Sequence, residues 1–124
     1  MVKSVLGNLS RKMGVKGRID WYLTKLNYRR KVTLNGVELR IPAIRGVSCE
    51  ISEPWMVDLL TRLLRKPGAF LDVGVNVGQT LVKVKSIDPD REYVGFEPNP
   101  VCVAYLQELV RDNGFANCTV VPRS

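Results

Sequence analysis

The chemistry-bearing residues of this chain lie in two short runs. The first is a buried-strand pattern, Ala69-Phe70-Leu71-Asp72-Val73, that leads into Gly74-Val75-Asn76-Val77-Gly78 and then into a helical pattern from Gln79. The second is Glu97, which stands 19 residues past Gly78 and directly follows the strand pattern Tyr93-Val94-Gly95-Phe96. A strand that turns through glycines into a helix N-terminus lets a ligand approach the backbone closely, because no side chains block it. An acid at the end of the next strand accepts hydrogen bonds from both hydroxyls of a ribose. Together the two runs point to a ligand with an adenosine-like ribose.

The loop narrows the choice of nucleoside. A dinucleotide fingerprint needs glycine at the third and sixth positions counted from Gly74, where this chain has Asn76 and Gln79. A phosphate-binding P-loop is excluded because no Gly-Lys-Ser/Thr follows. What fits is Asp-x-Gly-x-Asn-x-Gly. The competing reading is a tight strand-to-helix turn without a ligand.

Other residue types exclude whole classes of chemistry. The 124 residues contain no histidine, which removes Ser-His-Asp and Cys-His catalysis and every His-ligated metal site. Cys49, Cys102 and Cys118 are odd in number and far apart, so neither a zinc site nor a disulfide framework is expected; a reducing, cytoplasmic setting fits them best. Hydrophobic residues make up 45% and charged residues 25%, as in ordinary globular domains. No run approaches the ~18 apolar residues of a membrane span, and no signal-peptide pattern is visible at the start.

Charge is uneven along the chain. Residues 1–68 carry 14 Lys and Arg against 5 Asp and Glu, whereas residues 69–124 carry 5 against 7. The basic excess sits mostly in residues 1–31, a segment with weak helical spacing at Val2, Val5, Leu6 and Leu9 and again at Trp21 to Leu26. Its bland reading is a solvated face; nucleic acid is not the expected partner.

The elements that position the loop and the acid follow from periodicity. Val32 to Ile41 alternates around Asn35-Gly36, a type I′ hairpin with Val37, Leu39 and Ile41 inward and Pro42 closing the second strand. A helix is predicted over Pro54–Lys66, capped by Ser52 or Glu53, with Met56, Leu59, Leu60, Leu63 and Leu64 as its apolar stripe. From Ala69 the order is β-α-β-α-β, with helices from Gln79 to about Ser86 and from Pro100 to Asn113, and a last strand over Cys118–Val121. That order implies parallel strands with right-handed crossovers. The fold class is α/β, and the expected organisation is a basic helical segment over 1–31 followed by hairpin, lead-in helix and an incomplete α/β domain over 32–124.

The run Phe70-Leu71-Asp72-Val73-Gly74-Val75-Asn76-Val77-Gly78-Gln79 resembles the first motif of class I S-adenosylmethionine-dependent methyltransferases, in particular the FkbM-type family with its D-V-G-A-N-x-G. Val94-Gly95-Phe96-Glu97-Pro98-Asn99-Pro100 is similar to that family's F-E-P motif, and the resemblance runs from about residue 32 to the end. Val75 departs from the usual Ala. The resemblance implies a Rossmann-like sheet of which this chain supplies the N-terminal half, strands ordered 3-2-1, with S-adenosylmethionine as cofactor and a small-molecule hydroxyl as acceptor. It implies that Gly74, Asn76 and Gly78 line the cofactor, that Asp72 helps hold its amino group, that Glu97 takes the ribose diol, and that Pro98 and Asn99 lie near the adenine; Glu53 is a weaker candidate for the amino group. The missing strands leave the first strand as an edge, so a C-terminal half or a companion chain is expected, and no catalytic residue is assigned. The alternative is a non-catalytic remnant or partner-binding module that uses the open sheet edge or the basic N-terminus.

Overall fold

A computed structural model of the chain describes residues 27–123. The helical patterns read at Val2 to Leu9 and at Trp21 to Leu26 lie outside the described residues.

Strands β1 (Tyr28–Leu34) and β2 (Val37–Ile44) pair antiparallel, with Leu34 opposite Val37 and Val32 opposite Leu39. Asn35 and Gly36 both take positive φ, 50° and 75°, as a type I′ turn requires. Leu39 and Ile41 are buried and Glu38 and Arg40 exposed, as the alternation predicts. Two boundaries differ from the sequence reading. Strand β1 starts at Tyr28, so the expected division at 31/32 falls inside the hairpin, and Arg29, Arg30 and Lys31 are strand residues. Pro42 does not close β2, which continues to Ile44 and turns through Arg45-Gly46 into the two-residue β3 (Val47–Ser48). Because β3 pairs only with Ala43 and Ile44, Pro42 has a strand neighbour on one side alone, where a missing N–H is tolerated.

Helix α1 spans Trp55–Leu63, shorter than the predicted Pro54–Lys66. Neither Ser52 nor Glu53 caps it; Pro54 occupies the cap position without a side-chain hydrogen bond. At its other end Arg91 draws the chain out of the helix. The guanidinium donates to the carbonyl of the C-cap residue Leu64 (2.5 Å) and to those of Lys66 (2.8 Å) and Gly68 (2.7 Å) in the segment that follows.

The remainder follows the predicted order: β4 (Phe70–Val73), α2 (Gln79–Ile87), β5 (Tyr93–Phe96), α3 (Pro100–Asn113) and β6 (Cys118–Val121). The three strands form a parallel sheet ordered β4-β5-β6, with Phe70, Tyr93 and Cys118 in register. Helix α2 is buried from Leu81 to Ser86; it packs against α1, and at the hairpin turn Asn35 Nδ2 donates to Ser86 Oγ at 2.9 Å. Burial on all sides draws in two lysines. Lys85 Nζ donates to the carbonyls of Arg91 (2.6 Å), Ala116 (2.5 Å) and Pro89 (3.3 Å), which offsets its desolvation. Helix α3 is tied to the hairpin by Tyr105, whose hydroxyl donates to Pro42 O at 2.6 Å and accepts from Cys49 N at 2.8 Å. The opposite face of β4 is bare: Leu71 and Val73 are 64% and 77% exposed.

Candidate functional site

The site is built on the end of β4 and the start of α2. Gly74, Asn76 and Gly78 all adopt left-handed backbone, with φ of 82°, 54° and 89°. Glycine and asparagine are the residue types that tolerate this conformation, so the Gly-x-Asn-x-Gly spacing is first of all a backbone requirement. The loop is fastened to the end of β5, where the N–H groups of Gly74 (2.8 Å) and Val75 (3.3 Å) both donate to Phe96 O. Val75, bulkier than the alanine of the resemblance, is buried over Gly95, where an added Cβ would strike Val75 Cγ2.

The two glycines do different work. A Cβ on Gly74 would meet nothing within 4 Å, so the approach to the loop is open there. A Cβ on Gly78 would lie 2.7 Å from Leu109 Cδ2 and 3.0 Å from Leu106 Cδ2. Its bare Cα is what lets the start of α2 close on α3.

Glu97 is 6% exposed, and both of its oxygens are engaged. Oε1 accepts from Asn76 N and Oε2 from Asn99 N, each at 2.8 Å. One carboxylate therefore joins the glycine loop to the segment that starts α3. The Asn99 side chain caps that helix, accepting from Val101 N at 2.9 Å, with Pro100 in the first turn as expected. Cys102, in the same turn, donates its thiol to Asn76 Oδ1 at 3.4 Å; burial, and then the nearby Glu97 charge, push that thiol's pKa up.

Asp72 is half-buried near the end of β4, and Tyr93 donates its hydroxyl to Asp72 Oδ2 at 2.5 Å. Burial first, and then this bond to a carboxylate, push the Tyr93 hydroxyl's pKa far above its ordinary value, so it serves as a donor throughout the physiological range. Asp72, Gly74, Asn76, Glu97 and Asn99 thus gather around one end of the parallel sheet, with Gly78 one turn further on. Glu53 is exposed and no hydrogen bond or ion pair joins it to the loop; Pro98 is exposed beside Glu97. Tyr93 and Cys102 are the members that sequence reading missed. A glycine inside a strand, Gly95, signals a close approach, and Tyr93 and Val75 are what approach it.

Among the described residues no group of three or more His, Cys, Asp and Glu could hold a metal ion, and no helix is long and apolar enough to cross a membrane. The three cysteines are free thiols. A separate groove of about 560 Å³ runs between the β2–β3 turn and α3, lined by residues such as Arg45, Val101 and Glu108; it includes no residue of the glycine loop.

No family model matches the chain, and no curated protein matches it in sequence. Four solved chains match it in structure. One is a proposed caffeoyl-CoA O-methyltransferase from Staphylococcus aureus, which is 16% identical with a TM-score of 0.51. The match covers 96% of this chain and 49% of that one, so this chain spans about half the length of that neighbour. The likeness is one of fold: an α/β chain with a parallel sheet and helices.

Proposed function

We propose that this chain carries the cofactor-binding part of an S-adenosylmethionine-dependent O-methyltransferase, of the FkbM type that its two motifs resemble. The observation that carries the reading is the closure of Gly74-Val75-Asn76-Val77-Gly78 on Glu97 at the C-terminal end of a parallel sheet, where open α/β folds bind their ligands. Each carboxylate oxygen of Glu97 accepts one backbone N–H. A carboxylate oxygen has two lone-pair sites, so each oxygen keeps one for a ribose hydroxyl, and the diol is met by an acid whose orientation is already fixed. Open space at Gly74 admits the methionine side of the cofactor, and Asp72 is the anion nearest the start of the loop.

When bound, the cofactor supplies a sulfonium methyl group for direct displacement by a hydroxyl oxygen, for which positioning and exclusion of water carry much of the rate. The residues of this chain bind and orient. The hydroxyl acceptor and the rest of its pocket belong with further polypeptide, since the neighbour of like fold is about twice as long. Three free thiols suit a reducing, cytoplasmic setting.

A second reading, a partner-binding module, has one observation in its favour: the bare face of β4 at Leu71 and Val73. Nucleic-acid binding by the basic strand β1 has less support, because Arg29 is paired with Asp112 at 2.6 Å and Glu108 at 3.4 Å, and Arg30 donates to Cys49 O. The test is calorimetry with S-adenosylmethionine, S-adenosylhomocysteine and NAD. Binding of the first two in preference to NAD is expected, because Asn76 and Gln79 stand where a dinucleotide loop needs glycine. NAD binding of equal or greater affinity overturns the assignment.

A further inference from the structure

We infer that Tyr93 is a positioning residue that holds Asp72 as the receptor for a cationic amino-acid tail on the bound nucleoside. This inference rests on the cofactor reading above and deepens it, because it names the chemical feature that separates the preferred ligand from a plain nucleoside.

Tyr93 opens strand β5 and is fully buried, with its ring stacked on Phe70 at a centroid distance of 5.9 Å and an interplanar angle of 10°. The register places Phe70 opposite Tyr93 and Asp72 opposite Gly95. To reach Asp72 from two residues away, the tyrosine ring must run along the sheet past Gly95. A Cβ at position 95 would lie 3.0 Å from the ring's Cε1 and 3.5 Å from its hydroxyl, so the glycine keeps that path clear. At the end of the path the hydroxyl donates to Asp72 Oδ2 at 2.5 Å.

Phenylalanine would fill the same space and make the same stack. What the tyrosine adds is the bond to Asp72, and a buried hydroxyl is costly unless it has such a partner. The bond fixes the carboxylate through Oδ2 and leaves Oδ1 as an acceptor. Asp72 stands two residues before Gly74, whose missing Cβ leaves the loop open to a ligand. A carboxylate clamped from inside the sheet beside that opening suits an ammonium better than a hydroxyl, since both partners are then charged and Coulomb attraction adds to the hydrogen bond. Glu97, 25 residues further along the chain, is left to the ribose.

The test uses the whole chain and two ligands, S-adenosylhomocysteine, which carries the ammonium, and adenosine, which lacks it. Tyr93→Phe is expected to weaken S-adenosylhomocysteine binding several-fold, because the freed Asp72 carboxylate must then be ordered by the ligand itself, and to leave adenosine binding unchanged. Asp72→Asn should produce the same selective loss, and the double variant should lose little more than either single one. Circular dichroism checks that both variants keep the native secondary structure. If Tyr93→Phe binds S-adenosylhomocysteine as the wild type does, or weakens both ligands equally, the assignment to Tyr93 is overturned while the cofactor reading stands. If the unaltered chain binds neither ligand, the cofactor reading falls and takes this assignment with it.

Discussion

Glu97 and Asn76 are 21 residues apart in sequence, and the Glu97 carboxylate holds the Asn76 backbone N–H at 2.8 Å. The same carboxylate takes the N–H of Asn99, so the acid that the sequence marks for a ribose is also the clasp between two loops. Asn76 holds left-handed backbone with its N–H on that clasp, and its side-chain Oδ1 accepts from the Cys102 thiol.

Glu97→Ala therefore has two effects. It leaves two backbone donors without their partner, which costs on the order of 1–3 kcal/mol of stability, and under the proposed function it removes the ribose acceptor, which should cost roughly 1.5–3 kcal/mol of cofactor binding. Urea unfolding reads the first and calorimetry under folding conditions reads the second. Glu97→Gln keeps one acceptor but turns an amide donor toward an N–H, so it too should lose stability. Unchanged unfolding midpoints in both variants would remove the clasp.

The glycines of the loop separate by the same logic. Gly78→Ala sets a methyl group against Leu106 and Leu109 at a residue with φ of 89°, which costs roughly 1–3 kcal/mol of overpacking beyond the left-handed strain. Gly74→Ala meets no atom within 4 Å and costs only the left-handed strain, about 1–2 kcal/mol, but it narrows the ligand's approach. The order of unfolding midpoints should be wild type, then Gly74→Ala, then Gly78→Ala, while cofactor affinity falls in Gly74→Ala despite its milder fold defect. The reverse order of stability would show that the roles are misassigned.

Much of this was legible in the residues. Asn35-Gly36 predicts the hairpin turn, and the β-α-β-α-β texture after Ala69 predicts the parallel sheet, because both signals depend on backbone conformation and burial period, which are local. Asn99 and Pro100 likewise announce the start of α3. The misses are long-range. The end of α1 is set by Arg91, which is 25 residues beyond Lys66, and no pattern inside the helix shows it. Pro42 reads as a stop, yet its effect depends on how many neighbours β2 has at that point. Gly78 reads as part of a ligand cradle, and only packing of α2 against α3 reveals its second use. The Tyr93 hydroxyl is invisible as a functional group because, in a strand pattern, a tyrosine counts as an apolar residue.

Alkaline pH should unfold the protein. Burial pushes the Cys49 thiol up to about 11 from an ordinary 9.0, Tyr105 up to about 12, and Tyr93 higher still. Each of these groups holds its proton more tightly in the folded state. Their contribution is full below the unfolded values, near 9 to 10, and is lost as the pH rises through the folded ones. Lys85 acts in the opposite sense, since burial lowers its pKa and its contribution is recovered at high pH, but the groups that burial shifts upward, Cys102 and Cys118 among them, outnumber it. Melting temperatures should hold to about pH 9 and decline above it, with a shallower decline in Cys49→Ala. A flat profile to pH 11 would contradict the assignment.

The bare side of the sheet makes the last prediction. Leu71 and Val73 are 64% and 77% exposed, and the strand register puts Val94, Phe96 and Val121 on the same face. Among the described residues β4 pairs with β5 alone, so its other edge presents unpaired backbone groups. Parallel sheets are ordinarily covered on both faces, and an exposed apolar edge strand is a template for pairing with another chain. The isolated chain should therefore run above its 13.9 kDa in size-exclusion chromatography with light scattering, increasingly so at higher concentration, and should bind an apolar dye. Leu71→Lys with Val73→Lys places two charges where a neighbour would dock. Both side chains already face out of the described fold, so the pair should shift the chain toward monomer with little change in unfolding midpoint. A wild-type chain that stays monomeric and dye-free at high concentration would show that this face needs no partner.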